Sequence, residues 1–250
     1  QLEHPNIVPV HEMGRSETGE PYFTMKKVRG QTLRDRLAAA REAVRQGRDP
    51  QSVFPLRERL DILRKVLDAL GYAHERGVIH RDLKPANIMA GRHGEVLVMD
   101  WGLARIIGTP DDAQHSASFI VSSERDASNP HQTADGTVSG TPAYMSPEQA
   151  RGEVSALDAR SDLFAVGCLL YEMLALAPPY SGPTLTTLRQ ASQADYLPVQ
   201  EVARETLGRF AHALPHDLAA IAHKAMQADP RRRYPTAAAM RADLDAWDEA

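Results

Sequence analysis

The first apolar runs of the chain are short, and polar turn residues separate them. NIVPVHEMG (residues 6–14) and PYFTMKKV (21–28) are rich in strand-forming side chains, and RSETGE between them has the polar and glycine residues of a tight connection. This pattern predicts a β-hairpin at the start of the chain. Two strands alone are only marginally stable in water, so we expect the hairpin to pack against a larger unit.

Leucines then recur at helical spacing in two longer segments. QTLRDRLAAAREAVRQ (31–46) carries Leu33 and Leu37 on one face, and a cluster of Gly, Asp, Pro and Ser ends it. In LRERLDILRKVLDALGYAHERG (56–77), which stops at a glycine, one face is formed by Leu56, Leu60, Leu63, Leu67 and Leu70. The same periodicity predicts further helices over residues 162–176, 185–193, 214–227 and 236–247.

The pattern is different between these helices. The short apolar runs GVIH, NIMAG and EVLVMD, between residues 77 and 100, predict small strands that carry loops. Residues 109–140 are rich in Ser, Thr, Asp, Asn and Gly and have little periodicity, which predicts a mobile loop. A small strand unit followed by a mostly helical body is an α+β arrangement.

Composition limits the possible functions. The chain has 250 residues, 42% of them hydrophobic, and its net charge of -4 gives no electrostatic reason to expect nucleic acid as a partner. The single cysteine, Cys168, cannot form an internal disulfide, so we expect a buried, unreactive thiol and a reducing compartment. Its apolar segment is too short, and too interrupted by Glu172, to span a bilayer. We predict no membrane span in this segment and a cytoplasmic location, or the cytoplasmic side of a membrane if the protein has a transmembrane segment outside it.

One segment, HRDLKPANIMAGRHGEVLVMD (80–100), concentrates reactive side chains. Asp82 offers a base and Lys84 an ammonium, while Asn87 and Asp100 offer hard oxygen ligands for a metal ion. Transfer of the γ-phosphoryl group of ATP needs such groups, because an oxygen nucleophile must be oriented in line and positive charge must hold the phosphate oxygens.

HRDLKPAN resembles the catalytic loop of eukaryotic-type serine/threonine protein kinases at every fixed position of that motif. DWG (100–102) and GTPAYMSPE (140–148) follow at the right distances, and all three segments are similar to bacterial members of that family. Two positions depart from the family pattern. Trp101 stands in place of the usual phenylalanine, and Ser146 stands in place of the usual alanine.

The resemblance implies an α+β, protein kinase-like fold. It divides the chain into a remnant β-hairpin of the N-terminal lobe with the hinge (1–29) and a mostly helical C-terminal lobe (30–250). The activation segment is implied at about 100–148.

The catalytic roles implied by the resemblance fall on five residues. Asp82 accepts the proton of the substrate hydroxyl, and Lys84 neutralises the phosphate that moves. Asn87 and Asp100 hold Mg²⁺, and Thr141 forms a hydrogen bond near Asp82 and Lys84. A lysine at 84 and a threonine at 141 are typical of the serine/threonine branch, so the implied partners are proteins with Ser or Thr acceptors.

The same resemblance places the nucleotide. Met25 is implied as the gatekeeper, Lys26 and Val28 as residues that offer backbone groups to adenine, and Met89 as the floor of the adenine pocket. ATP and Mg²⁺ are the implied cofactors. No Gly-rich loop precedes these residues, because the first glycines lie in the hairpin turn. We therefore expect a truncated part of a catalytic domain that is inactive in isolation.

Supporting roles are also implied. Glu148 would pair with Arg233, and Asp162 would accept hydrogen bonds from the catalytic-loop backbone while lying on a buried helix. His80 would pack against Trp101 rather than transfer protons.

Regulation is implied by Arg81, which marks kinases whose activation segment is ordered by phosphorylation. A phosphate on Thr133 or Thr137, added by the kinase itself, would supply the anion for this arginine, and Ser139 is a less favoured site. The alternative is a flexible insert whose hydroxyls only keep it soluble.

Two other functions remain open. The chain could be a catalytically inactive scaffold or binding module with the kinase fold, or a small-molecule phosphotransferase of related fold, although the long activation-type segment disfavours the latter. His212, His216 and His223 could be imagined as metal ligands, but we expect unrelated surface histidines because no cysteine or carboxylate pair lies at ligand spacing.

Overall fold

The N-terminal strands form the predicted hairpin. The computed structural model describes residues 2–15, 21–91, 94–101, 105–106 and 142–248. Within them, β1 (Val10–Arg15) pairs antiparallel with β2 (Pro21–Met25). A parallel bridge joins Ile7 to Val98, whose carbonyl accepts a hydrogen bond from the N–H of Val8 at 3.1 Å. The base of the hairpin is thereby fastened to the larger part of the chain, as predicted.

The short apolar runs form small antiparallel sheets. The five strands are β3 (Gln31–Thr32), β4 (Val78–Ile79), β5 (Ile88–Ala90), β6 (Val96–Val98) and β7 (Arg105–Ile106). One sheet has the order β3-β5-β6, and β4 pairs with β7. The predicted small strands between residues 77 and 100 are confirmed. The reactive side chains lie in the loop between β4 and β5 and directly after β6.

The described residues form eight α-helices. They are α1 (Leu33–Arg45), α2 (Leu56–Glu75), α3 (Pro147–Ala150), α4 (Ala159–Ala175), α5 (Thr184–Gln193), α6 (Val199–Leu207), α7 (His216–Ala225) and α8 (Ala237–Asp248). The α+β class is confirmed. None of these helices combines the length and apolar character that crossing a bilayer requires.

Two predicted helices begin at other residues, and one helix was not predicted. Helix α4 begins three residues before the predicted residue 162, because Asp158 caps it by accepting a hydrogen bond from the N–H of Arg160. Helix α7 is shorter than the predicted 214–227 because Pro215 is its N-cap. Helix α6 was not predicted.

Helix α4 is the centre of the core. Every residue from Ser161 to Ala175 is buried, as expected for a helix that is apolar on all sides. Gly167 allows α7 to approach, since a Cβ atom there would lie 2.7 Å from Cγ of Met226 and 2.8 Å from Cβ of Ala225. Cys168 is buried and unpaired, and burial raises its pKa, which agrees with the predicted unreactive thiol.

Candidate active site

A buried carboxylate holds the loop between β4 and β5. Oδ2 of Asp162 accepts a hydrogen bond from the backbone N–H of His80 at 2.8 Å, and Oδ1 accepts one from the N–H of Arg81 at 2.9 Å. Nε2 of His74 also lies 2.8 Å from Oδ2. Burial by itself would raise the pKa of Asp162, but the contacts with His74 and His80 outweigh it, so the pKa is lowered. The predicted role of Asp162 is confirmed, whereas the part of His74 was missed.

The backbone that Asp162 holds is strained. Arg81 has a φ of 67°, in the left-handed region that residues with a side chain rarely adopt. Asp100 has a φ of 59°, so both ends of the reactive segment show the same unusual conformation. Such backbone persists only where surrounding contacts impose it.

Three polar side chains meet immediately after this turn. Nζ of Lys84 lies 2.8 Å from Oδ2 of Asp82, and Nδ2 of Asn87 donates to the carbonyl of Asp82 at 2.9 Å and to its Oδ2 at 3.3 Å. Asp82 is 9% exposed. Both side-chain contacts fall on Oδ2, and Oδ1 accepts no hydrogen bond from any residue that the structure describes. The carboxylate is therefore held in place while one oxygen remains available to a substrate proton.

Asn87 and Asp100 lie next to the paired strands β5 and β6. Asn87 precedes β5 and Asp100 follows β6, and the N–H of Met99 donates to the carbonyl of Asn87 at 2.8 Å. Because Nδ2 of Asn87 is engaged with Asp82, its Oδ1 is the atom left for a cation. An amide oxygen and the exposed carboxylate of Asp100 are donors that suit Mg²⁺.

Trp101 anchors the chain after Asp100. Its ring meets the ring of His80 at 4.7 Å between centroids with an interplanar angle of 61°, which confirms the predicted packing. Its indole N–H donates to the carbonyl of Val98 at 3.2 Å, a hydrogen bond that phenylalanine cannot make. Nε2 of His80 lies 2.9 Å from the carbonyl of Met99, and Nδ1 accepts from the N–H of Asp82 at 3.3 Å, so this ring is engaged on both nitrogens.

The residues predicted to surround adenine lie along β2, the connection after it and β5. The N–H of Lys26 donates to the carbonyl of Pro9 at 3.1 Å, so this N–H is already engaged. Among the described residues, the N–H of Val28 donates to no backbone carbonyl. The side chain of Met25 is 45% exposed, and that of Met89 is half-buried. Thr141 lies outside the described residues.

The end of the predicted activation segment is fixed by a buried ion pair. Both carboxylate oxygens of Glu148 bind Arg233, at 2.7 and 2.8 Å, and Ser161 donates to Glu148 at 2.7 Å. The predicted pair is confirmed. Burial alone would raise the pKa of Glu148, but the hydrogen bonds and charge of Arg233 outweigh it and keep the pKa below its usual value.

A second buried network was missed. Glu172, which is 3% exposed on α4, accepts a hydrogen bond from the Tyr144 hydroxyl at 2.6 Å and pairs with Arg41 of α1 at 2.9 Å. The signal was present, since a glutamate inside an otherwise apolar helix is costly to bury unless it is paired. Burial, and then the charge of Glu172, raise the pKa of Tyr144.

Of the three histidines considered as metal ligands, two have side chains that the structure describes. His216 is exposed on α7, and the side chain of His212 lies outside the described set. His223 is not the surface residue that we expected, because it is half-buried and its Nε2 accepts a hydrogen bond from the N–H of Val199 at 3.2 Å. Burial lowers the pKa of His223, which favours the neutral acceptor form.

Comparison with known proteins adds to this geometry. A family model described as "Protein kinase domain" matches residues 1–244. The chain is 36% identical over 247 residues to "Serine/threonine-protein kinase PknB" of Mycobacterium leprae, and 38% identical over 247 residues to the protein of that name from Mycobacterium tuberculosis (strain ATCC 25618 / H37Rv). Each alignment covers 97% of this chain and 33% of the relative. It is also 37% identical over 252 residues to "Probable serine/threonine-protein kinase PknB" of Bifidobacterium longum, covering 98% of this chain and 31% of that protein. The chain thus spans about a third of the length of these relatives.

Proposed function

The chain belongs to the protein kinase family and is similar to its bacterial serine/threonine members, and from this premise we propose that residues 80–100 transfer the γ-phosphoryl group of ATP to Ser or Thr hydroxyls of proteins. The observation that carries the proposal is the carboxylate of Asp82. Its Oδ2 lies 2.8 Å from the ammonium of Lys84, on a turn held by buried Asp162. Its Oδ1 accepts no hydrogen bond from a described residue.

The proposed roles follow from these contacts. Asp82 orients the substrate hydroxyl and accepts its proton, because Oδ2 of its carboxylate is fixed by Lys84 and Asn87. Lys84 places positive charge beside the oxygen that attacks, where the phosphoryl group must arrive. Thr141, which lies outside the described residues, is proposed to hydrogen-bond near both.

Members of this family generally use ATP and Mg²⁺. We assign Mg²⁺ to Oδ1 of Asn87 and the carboxylate of Asp100. When bound, Mg²⁺ would neutralise charge on the phosphates. The hydrogen bond from Nδ2 of Asn87 to the carbonyl of Asp82 would leave the amide oxygen of Asn87 as the ligand. We also propose that Lys84 contacts the nucleotide phosphates. We propose a cytoplasmic location for the protein, because ATP is available there.

For adenine we propose backbone recognition. The carbonyl of Lys26 and the N–H of Val28 would take up the hydrogen bonds of the base, since the N–H of Lys26 is already engaged with Pro9. Met25 and Met89 would provide apolar contact with the ring, an environment that suits a flat heterocycle.

The test is phosphate incorporation from radiolabelled ATP into a basic protein substrate, with the full-length protein. Asp82→Asn should lower kcat by roughly 10²- to 10⁴-fold, because the general base is lost while the shape is kept. Asp217→Asn is the matched control, since that carboxylate is 81% exposed on α7, and its turnover should stay at the wild-type level. If Asp82→Asn turned over as fast as the control, Asp82 would not be the general base. If the wild-type protein bound ATP but transferred no phosphate, it would be a binding module and not a kinase.

We propose further that the protein phosphorylates itself at Thr133 or Thr137, both of which lie outside the described residues, as does Ser139. A phosphate there would add about -1.5 to -2 charge beside Arg81. Mass spectrometry of the wild-type protein and of Asp82→Asn should find phosphate at one of these threonines in the wild type alone. Absence of phosphate between residues 133 and 139, with full activity of a Thr133→Ala/Thr137→Ala variant, would overturn this proposal.

A further inference from the structure

The side chain of Gln149 connects α3 to the catalytic loop. Its Nε2 donates to the carbonyl of Arg81 at 2.6 Å. Its Oε1 accepts hydrogen bonds from the backbone N–H and the Oγ of Ser146, at 3.1 and 3.0 Å. These contacts fix the orientation of the amide, because the reverse orientation would set two oxygens against each other at Arg81 and leave Ser146 without its acceptor.

The carbonyl that Gln149 holds belongs to the peptide bond between Arg81 and Asp82. The N–H of Arg81 is held from the other side by Oδ1 of Asp162 at 2.9 Å, and Arg81 has a φ of 67°. The unfavourable left-handed conformation is therefore clamped at both of its polar groups. A rotation of the peptide that follows Arg81 would change the direction in which Asp82 leaves the backbone.

Helix α3 is a rigid support for this contact. Its residue Glu148 is locked by two hydrogen bonds to buried Arg233, and Ser146 caps the helix by accepting from the N–H of Gln149 at 3.4 Å. Ser146 occupies the position where the family usually has alanine, which has no hydroxyl to orient the amide. The serine and the glutamine thus act as one unit.

We propose that Gln149 is a positioning residue, which Ser146 orients, and that it aims the carboxylate of Asp82 by fixing the Arg81–Asp82 peptide. The proposal rests on the proposed function, because it assigns to Asp82 the role of base. It predicts that the loss of one side-chain N–H on α3 lowers the rate of phosphoryl transfer without weakening the binding of ATP.

The test variant is Gln149→Glu, which keeps the length of the side chain and the acceptor for Ser146 but replaces the donor that faces Arg81 with an oxygen. In the full-length protein, kcat should fall roughly 10- to 100-fold, as expected for a misaligned catalytic group, while KM for ATP stays unchanged. Gln227→Glu is the matched control, because Nε2 of Gln227 also donates to a backbone carbonyl, that of His223, at 3.1 Å and away from the loop. Its kcat should equal that of the wild type.

The pH dependence of kcat distinguishes a positioning role from a merely structural one. When protonated, the carboxyl group introduced by Gln149→Glu can donate to the carbonyl of Arg81 again. The ratio of its kcat to the wild-type kcat should therefore rise as the pH is lowered, whereas the ratio for Gln149→Ala should stay flat. A flat ratio for both variants would overturn the proposal, as would a kcat of Gln149→Glu equal to that of Gln227→Glu.

Hydrogen exchange separates this proposal from the proposed function. The N–H of Asp82 belongs to the peptide that Gln149 fixes, so it should exchange faster in Gln149→Glu than in Gln227→Glu, whether or not the protein transfers phosphate. If the wild type proves inactive and exchange at Asp82 still accelerates, the proposed function fails but the positioning contact stands. Equal exchange in the two variants would refute the contact itself.

Discussion

Removal of the Arg233 side chain should destabilise this protein more than any single surface change. The side chain is 0% exposed and uses all five of its N–H groups. Two of them bind Glu148, and the other three donate to backbone carbonyls, namely those of Gln227 at 2.7 Å, Arg160 at 3.2 Å and Ala228 at 3.2 Å. Arg233→Ala leaves the carboxylate of Glu148, which is 2% exposed, with the Ser161 hydroxyl as its one side-chain hydrogen-bond partner among the described residues.

The expected magnitude follows from the stranded charge. Breaking a buried ion pair from one side costs roughly 3 to 5 kcal/mol, out of a total folding stability of roughly 5 to 15 kcal/mol. For a chain of this length, 1 kcal/mol shifts Tm by about 2 to 4 °C. Arg233→Ala should therefore lower Tm by roughly 6 to 20 °C.

Thermal unfolding followed by circular dichroism measures this effect, with Arg231→Ala as the matched control. The Arg231 side chain is 84% exposed and pairs with Asp229 at the surface, so its removal should barely move Tm. Adding Glu148→Gln to Arg233→Ala should recover part of the loss, because a neutral amide is cheaper to bury than a carboxylate. Equal decreases for Arg233→Ala and Arg231→Ala would refute the reasoning.

The pH dependence has a definite sign. The pKa of Glu148 is lowered in the folded state, so this group adds stability above its unfolded pKa of about 4.3, and the contribution is lost as the pH falls through the lower folded pKa. In Arg233→Ala, the guanidinium that lowers the pKa of Glu148 is absent, so burial should raise this pKa instead. The difference in stability between wild type and variant should therefore shrink as the pH is lowered from neutrality. A constant difference over that range would contradict a stranded carboxylate.

Two further stability predictions concern packing and one indole hydrogen bond. Trp101→Phe should lower the free energy of unfolding, measured in urea, by roughly 0.5 to 1.5 kcal/mol. The variant loses the hydrogen bond to the carbonyl of Val98 but keeps an aromatic ring against His80. An unchanged free energy of unfolding would contradict a stabilising role of that hydrogen bond. Gly167→Ala should cost roughly 1 to 3 kcal/mol in the same assay through overpacking against α7. Gly71→Ala, whose Cβ would sit 3.6 Å from its nearest neighbour, should be neutral or stabilising, and the reverse order of these two variants would be inconsistent with the packing.

Much of the fold was predicted because its signals are local. The leucine spacing of α1 and α2 and the turn residues of the first hairpin act within a few residues of each other. Helix α6 was missed because its nine residues, VQEVARETL, bury only Val199, Ala203 and Leu207, too short an apolar pattern to stand out. The start of α4 was misplaced because its cap, Asp158, precedes the apolar run.

The sequence by itself determined that the polar side chains of the reactive segment meet, because Asp82, Lys84 and Asn87 lie within six residues and a short loop cannot keep them apart. What holds that loop was implied only by the family resemblance, which pointed to Asp162 and to the pair of Glu148 with Arg233. The tertiary structure confirmed both and added the contacts of His74 with Asp162 and of Gln149 with the carbonyl of Arg81. The carboxylate of Asp162 is 81 residues from Arg81, and Glu148 is 85 residues from Arg233. Residues so far apart in sequence cannot be paired from the local pattern, because the packing around α4 selects which charged groups meet. Burial then makes each unpaired group costly, so these long-range pairs fix the geometry that the local sequence leaves open.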